Sequence, residues 1–102
     1  MAYRNLSGKN GYVYFLSNVK RTVLYIGVTS ELDGRILNHK YGKGSTFKAK
    51  YNLKVLLYLE EYTNIEEAIE REKQLKNWHR EWKFNLIKKS NPKLKDLLDP
   101  EA

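Results

Sequence analysis

Tyr14, Tyr25, Arg35 and His39, taken together, suggest a site for a phosphodiester. A guanidinium matches phosphate oxygens and stabilises the charge that develops on them during substitution at phosphorus. Glu72 adds a carboxylate in an unexpected place, three residues after Ile69 and four after Ala68, on the helix face that otherwise enters the core. An unpaired buried charge costs several kcal/mol, so Glu72 must meet a cation, a metal ion or a water-filled cleft. Each residue also has an ordinary reading. Either tyrosine, one of eight in the chain, serves equally as a sheet residue. Arg35 and His39, one helical turn apart, fit a solvated helix face, and Glu72 fits a salt bridge.

These side chains need elements to hold them. Tyr12–Leu16 and Val23–Val28 are β-branched and aromatic runs separated by a polar stretch, which predicts a β-hairpin. A turn centred on Val19-Lys20 sets Tyr14 directly opposite Tyr25, with both rings on one face. Thr29 or Ser30 caps a helix expected from about Leu32 to Tyr41, with Leu32, Ile36 and His39 along one face, although Gly34 weakens it by about 1 kcal/mol. Gly42 to Thr46 reads as a mobile basic loop. The nearly continuous apolar run Val55–Leu59 suits a central strand covered on both faces. Thr63-Asn64-Ile65-Glu66 reads as a capping box that starts a helix reaching about Asn77. A last helix from about Arg80 to Lys89 buries Trp82 and Leu86, Ser90-Asn91-Pro92 ends it, and Leu94, Leu97 and Leu98 pack the tail. The order β-β-α-β-α-α predicts an α+β fold, a small three-stranded antiparallel sheet flanked by helices.

The 102 residues fit a single domain, expected over residues 11–98 with a loose leader at 1–10 and a short tail at 99–102. No internal repeat is visible. Nineteen basic residues against twelve acidic give a net charge of +7, which favours a polyanionic partner. Lys43, Lys48, Lys50, Lys73, Lys76, Arg80 and Lys83 are the candidate phosphate contacts. The absence of cysteine excludes disulfides and thiolate zinc sites and is compatible with a reduced cytoplasm, the expected location. No stretch approaches the ~20 apolar residues that span a bilayer.

The ordered set Tyr12-Val13-Tyr14, Tyr25-Ile26-Gly27, Arg35 and Glu72 resembles the GIY-YIG nuclease superfamily. The likeness runs from Gly11 to about Leu98 and is greatest to small stand-alone bacterial members related to the nuclease module of the bacterial excision-repair endonuclease. It implies a hydrolytic DNA endonuclease using one Mg²⁺ or Mn²⁺ ion, in DNA repair or recombination, with RNA not excluded and a separate protein partner as one source of specificity. Glu72 would hold the ion, and phosphate oxygen and water would complete its shell. Tyr14 or Tyr25 would position and deprotonate the attacking water, Arg35 would steady the phosphate, and His39 would assist proton transfer or orient the tyrosine. Gly27 would allow close backbone approach. Two positions depart from the family pattern. Tyr12 replaces the leading glycine, with Gly11 one residue earlier, and Asn85, the nearest candidate for the family's further catalytic residue, an asparagine beyond the glutamate, lies about one residue off the usual spacing.

Two rival readings stand beside this one. The same scaffold can serve as a basic nucleic-acid-binding module with little or no turnover, distinguished by steep salt dependence without metal-dependent products. Alternatively, Trp78 and Trp82 are exposed anchors of a protein-interaction domain.

Overall fold

The computed structural model describes residues 10–30 and 52–98. The expected helix at 32–41 and the basic loop after it, with Arg35, His39, Lys43, Lys48 and Lys50, lie outside the described residues. Among the described residues, three antiparallel strands form one sheet: β1 (Gly11–Ser17), β2 (Leu24–Thr29) and β3 (Val55–Tyr62), in the order β2-β1-β3. Two helices follow, α1 (Ile65–Lys76) and α2 (Arg80–Ser90). This is the α+β arrangement expected from the sequence. No helix among the described residues is long and apolar enough to cross a membrane.

Strand alternation divides the core. Val13 and Phe15 of β1 join Ile26, Val55 and Leu57 beneath Ala68, Leu75 and Ile87 of the helices. Tyr14 and Leu16 point to the opposite face, where Leu53, Leu56, Tyr25 and Leu98 surround them. Being buried on both faces identifies β1 as the central strand. The expectation that Val55–Leu59 would be central is thus corrected, because β3 is an edge. Its apolar run is covered by another route. The C-terminal segment folds along that edge, with Leu97 N donating to Leu56 O at 2.8 Å and Leu56 N donating to the Asp96 carboxylate at 3.1 Å. Leu57 is the extra residue of a bulge between the Phe15–Tyr58 and Leu16–Leu56 pairs.

Asn91 completes this seal. Its buried amide donates to Leu57 O at 3.1 Å and to Lys95 O at 2.8 Å, and its Oδ1 accepts from Lys95 N at 3.0 Å. Three local bonds at an otherwise open strand edge restrain the tail and satisfy backbone groups that would template aggregation. Asn91→Ala should therefore cost about 2 kcal/mol, since it strands a buried carbonyl as well as losing its own bonds. Urea denaturation checks this, and an unchanged midpoint would show that the edge is held elsewhere.

The hairpin register differs from expectation by two residues. Tyr14 pairs with Gly27, and Tyr25 pairs with Leu16. No two-residue turn centres on Val19-Lys20. A six-residue connection is closed instead by Asn18, whose Oδ1 accepts from Thr22 N at 2.8 Å and Val23 N at 3.0 Å. Arg21, at φ 60°, donates its N–H to Asn18 O at 3.0 Å. A shift of two preserves strand parity, so both tyrosines still share a face.

Helix α1 begins one residue later than the expected capping box. Asn64, not Thr63, is the N-cap, and its Oδ1 accepts from Glu67 N at 2.9 Å. The start of the helix lies directly on β1, where a methyl group added to Gly11 would come within 2.6 Å of Ala68 Cβ and 2.8 Å of Ile65 Cα. A glycine is therefore required at position 11 for helix-on-strand contact, one residue before the position it has in the family motif. Helix α2 buries Ile87, with Phe84 and Leu86 half-buried. The expectation that Trp82 enters the core is corrected, since it is 51% exposed. Five residues separate it from Ile87, which is about 140° around the helix and places Trp82 away from the sheet.

Candidate active site

Two of the expected site residues are brought together by the sheet. The rings of Tyr14 and Tyr25 lie 6.5 Å apart, inclined at 44°, as diagonal neighbours on the face away from α1 and α2. Tyr14 is fully buried and Tyr25 half-buried. Gly27 makes this possible. A methyl group there would overlap Tyr14 at Cζ and Oη and lie 2.8 Å from Cε1, so the Tyr14 ring occupies the space that a side chain opposite it would fill.

Glu72 is on α1, in the stripe containing Ala68 and Leu75, and its side chain is 14% exposed. The cation it meets is Lys76, one turn on, at 3.1 Å. Helical geometry gives its direction. Ala68 and Leu75 point into the sheet, while Arg71 turns to the β3 side and bonds Glu60 there. At about 100° per residue, Glu72 falls on the other side of that line, toward β2. Helix α1 packs over β1 and β2, so the carboxylate lies on the helix-covered face of the sheet and the tyrosines lie on the other, Tyr14 on central β1 and Tyr25 on β2.

The remaining described candidates lie elsewhere. Asn85 is exposed on α2, in a groove with Trp78, Trp82, Leu86 and Lys89. Lys73 is exposed and Lys83 half-buried. Arg80 is engaged within the fold, donating to Thr22 O at 2.6 Å with its guanidinium 5.0 Å from the Phe84 ring centre.

The model of the GIY-YIG catalytic domain matches residues 10–85. The chain belongs to the GIY-YIG family. A UPF0213 protein of Staphylococcus haemolyticus is 34% identical over 76 residues, covering 74% of this chain and 92% of that protein. One from Streptococcus pyogenes is 38% identical over 68 residues, 66% of this chain and 72% of its own length. The solution NMR structure of the UPF0213 protein BH0048 from Bacillus halodurans superposes with a TM-score of 0.57 at 26% identity, covering 91% of this chain and 98% of that one. It shares the three-stranded sheet and helices of this GIY-YIG domain.

GIY-YIG nucleases generally use a divalent metal ion. Among the described residues no group of three or more His, Cys, Asp or Glu side chains converges. One carboxylate fits Mg²⁺ only where substrate phosphate and water supply most of the ligands. Glu72 fits that limited role, provided that the ion or substrate displaces Lys76.

The GIY-YIG domain also contains a cluster that the sequence reading missed. The Glu60 carboxylate accepts from Tyr58 Oη at 2.6 Å, Tyr62 Oη at 2.7 Å, and Arg71 Nε and Nη2 at 3.0 Å each. Arg71 also donates to Gln74 at 2.6 Å and lies 5.4 Å from the Trp78 ring centre. The signal was the spacing Tyr58-x-Glu60-x-Tyr62, which puts three side chains on one strand face. Burial pushes the Glu60 carboxyl up, but the bonds from Arg71, Tyr58 and Tyr62 outweigh it and hold the group below its ordinary range. Burial and the bonds to Glu60 raise both phenols.

The cluster joins β3 to α1 on the side of the helix away from Glu72, and its pH signature follows from these directions. A lowered carboxyl stabilises the fold above its unfolded pKa of about 4.3, and that contribution fades as pH falls through the lower folded value. Glu60→Gln should therefore flatten the acid side of the stability profile, read by urea denaturation from neutral pH downward. Parallel profiles for parent and variant would disprove this linkage.

Proposed function

We propose that this chain is a metal-dependent DNA endonuclease that hydrolyses phosphodiester bonds at the β2 edge. The observation that carries the reading is the Tyr14–Tyr25 pair, seated by a glycine that leaves room for one of the rings. One of the two phenols takes a proton from the attacking water, while the other orients it. An ordinary phenol titrates near ~10, so the base needs nearby positive charge, which Arg35 and the bound ion are suited to provide. Arg35 steadies the phosphate and His39 relays the proton or orients the tyrosine. Glu72 holds Mg²⁺ or Mn²⁺, which polarises a phosphoryl oxygen when bound. Asn85, exposed on another element, contacts the nucleic acid in this reading. DNA repair or recombination is the setting in which such cleavage would serve.

One observation favours a second reading. The Glu72–Lys76 ion pair satisfies the carboxylate without a metal, as a binding module with little turnover would require. Labelled single-stranded, duplex, flap and branched DNA, each with Mg²⁺, Mn²⁺ or chelator, separates the two. Products that vanish with chelator support the nuclease. Retention of DNA without products in either metal would replace it with the binding module.

A further inference from the structure

Helix α2 and the turn before it carry a surface of which the proposed function uses only Asn85. Trp78, Trp82, Asn85, Leu86 and Lys89 recur at steps of three and four residues and line one groove of about 210 Å³. Trp82 is half exposed and packs against two other rings. Its ring stands edge-to-face against Trp78 at 6.1 Å and 81°, and against His79 at 4.8 Å and 89°. Trp78 is anchored in turn by the apolar core and by the Arg71 guanidinium. An exposed indole packed against two rings has less freedom to lose on binding than one that stands alone.

The charge around it selects the ligand. Helix α2 contains Arg80, Lys83, Lys88 and Lys89 against one acidic residue, Glu81 in its first turn. An aromatic ring with the Lys89 ammonium in the same groove, on a basic helix, suits a strand whose bases are unpaired, with stacking on the ring and phosphate meeting the lysine. Within a duplex the base faces are already stacked on one another and closed to such contact. The exposed Asn85 amide adds both donors and an acceptor that a base edge can meet. A protein partner could also use an exposed tryptophan, but the excess of lysine favours a polyanion.

We propose that the Trp82 groove binds an unpaired segment of nucleic acid by stacking a base on the indole, with Lys89 at the backbone. This deepens the nuclease reading and rests on it, because it supplies a preference for substrates with a single-stranded arm. Stacking itself requires no turnover, which separates the two claims experimentally.

Trp78 and Trp82 are the only tryptophans in the chain, so indole fluorescence reports this groove alone. The full chain, in chelator, is titrated with a ten-nucleotide oligothymidylate and with a blunt duplex of equal length. Affinities are taken independently from the anisotropy of end-labelled strands. The single strand should quench the indole saturably, and the duplex should quench it far less. Trp82→Ala should weaken single-strand binding by about fivefold to a hundredfold, Trp82→Phe should restore most of it, and Lys89→Ala should reduce the salt dependence. Single-strand affinity unchanged in Trp82→Ala, or binding without quenching in the parent, overturns the inference even if metal-dependent cleavage is found. Single-strand affinity by anisotropy that falls in Trp82→Ala and is largely restored in Trp82→Phe upholds the inference even if no metal produces cleavage.

Discussion

Glu72→Ala should reduce metal-dependent DNA cleavage by about a thousandfold or more while leaving the fold and DNA binding in place. Loss of an ion that stabilises transition-state charge costs several kcal/mol of activation free energy, and each 1.36 kcal/mol is tenfold in rate. The stability cost is small by comparison. The Glu72–Lys76 pair is an i, i+4 contact whose lysine is 56% exposed, and such pairs contribute about 0.3–0.5 kcal/mol. Alanine is also the best helix former and removes a largely covered carboxylate, so the melting temperature should scarcely change. Glu72→Gln sharpens the test because it keeps size and hydrogen bonding but loses the charge that holds the ion. Both variants should fail in cleavage and retain binding in chelator. A Glu72→Gln protein that cuts at the parent rate would remove Glu72 from the metal role and leave it as the partner of Lys76.

The sequence disclosed the parts of this site that depend on local periodicity. The three strands start within one residue of the runs beginning at Tyr12, Val23 and Val55, and the helix starts one residue later than its expected capping box, because these signals lie close in sequence. The shared face of Tyr14 and Tyr25 survived an incorrect turn because parity is insensitive to an even shift. Features that depend on distant partners were less legible. The hairpin is closed by an asparagine side chain rather than by a two-residue turn, which moved the register. The apolar run of β3 suggested a central strand, yet Asn91, Asp96 and Leu97 cover its edge from thirty or more residues away. Trp82 looked like core because Leu86 follows it at i+4. The stripe facing the sheet is centred on Ile87 instead, leaving the indole outside. Glu60 was passed over because a carboxylate between two tyrosines becomes informative only when α1 brings Arg71 to it.

Gly27→Ala should lower cleavage by about a hundredfold and stability by about 1–3 kcal/mol, both through Tyr14. Gly27 does not occupy the left-handed region, so alanine suits its backbone and the effect is steric. The added methyl falls where Tyr14 Cζ and Oη now lie, and that ring is fully buried and pressed by Leu16, Leu53 and Leu56. Overpacking a filled site costs ~1–3 kcal/mol, and displacing a reacting group by ~1 Å can cost a hundredfold in rate. A double-mutant cycle isolates the cause. In a Tyr14→Ala background the methyl has no ring to meet, so Gly27→Ala should cost little there, and the coupling between the positions should lie within ~0.5–3 kcal/mol by urea denaturation. Additive costs would place the role of Gly27 elsewhere than under Tyr14. Full activity in Gly27→Ala would mean that the ring can move without consequence, and Tyr14 would then lose its claim to contact the reacting water.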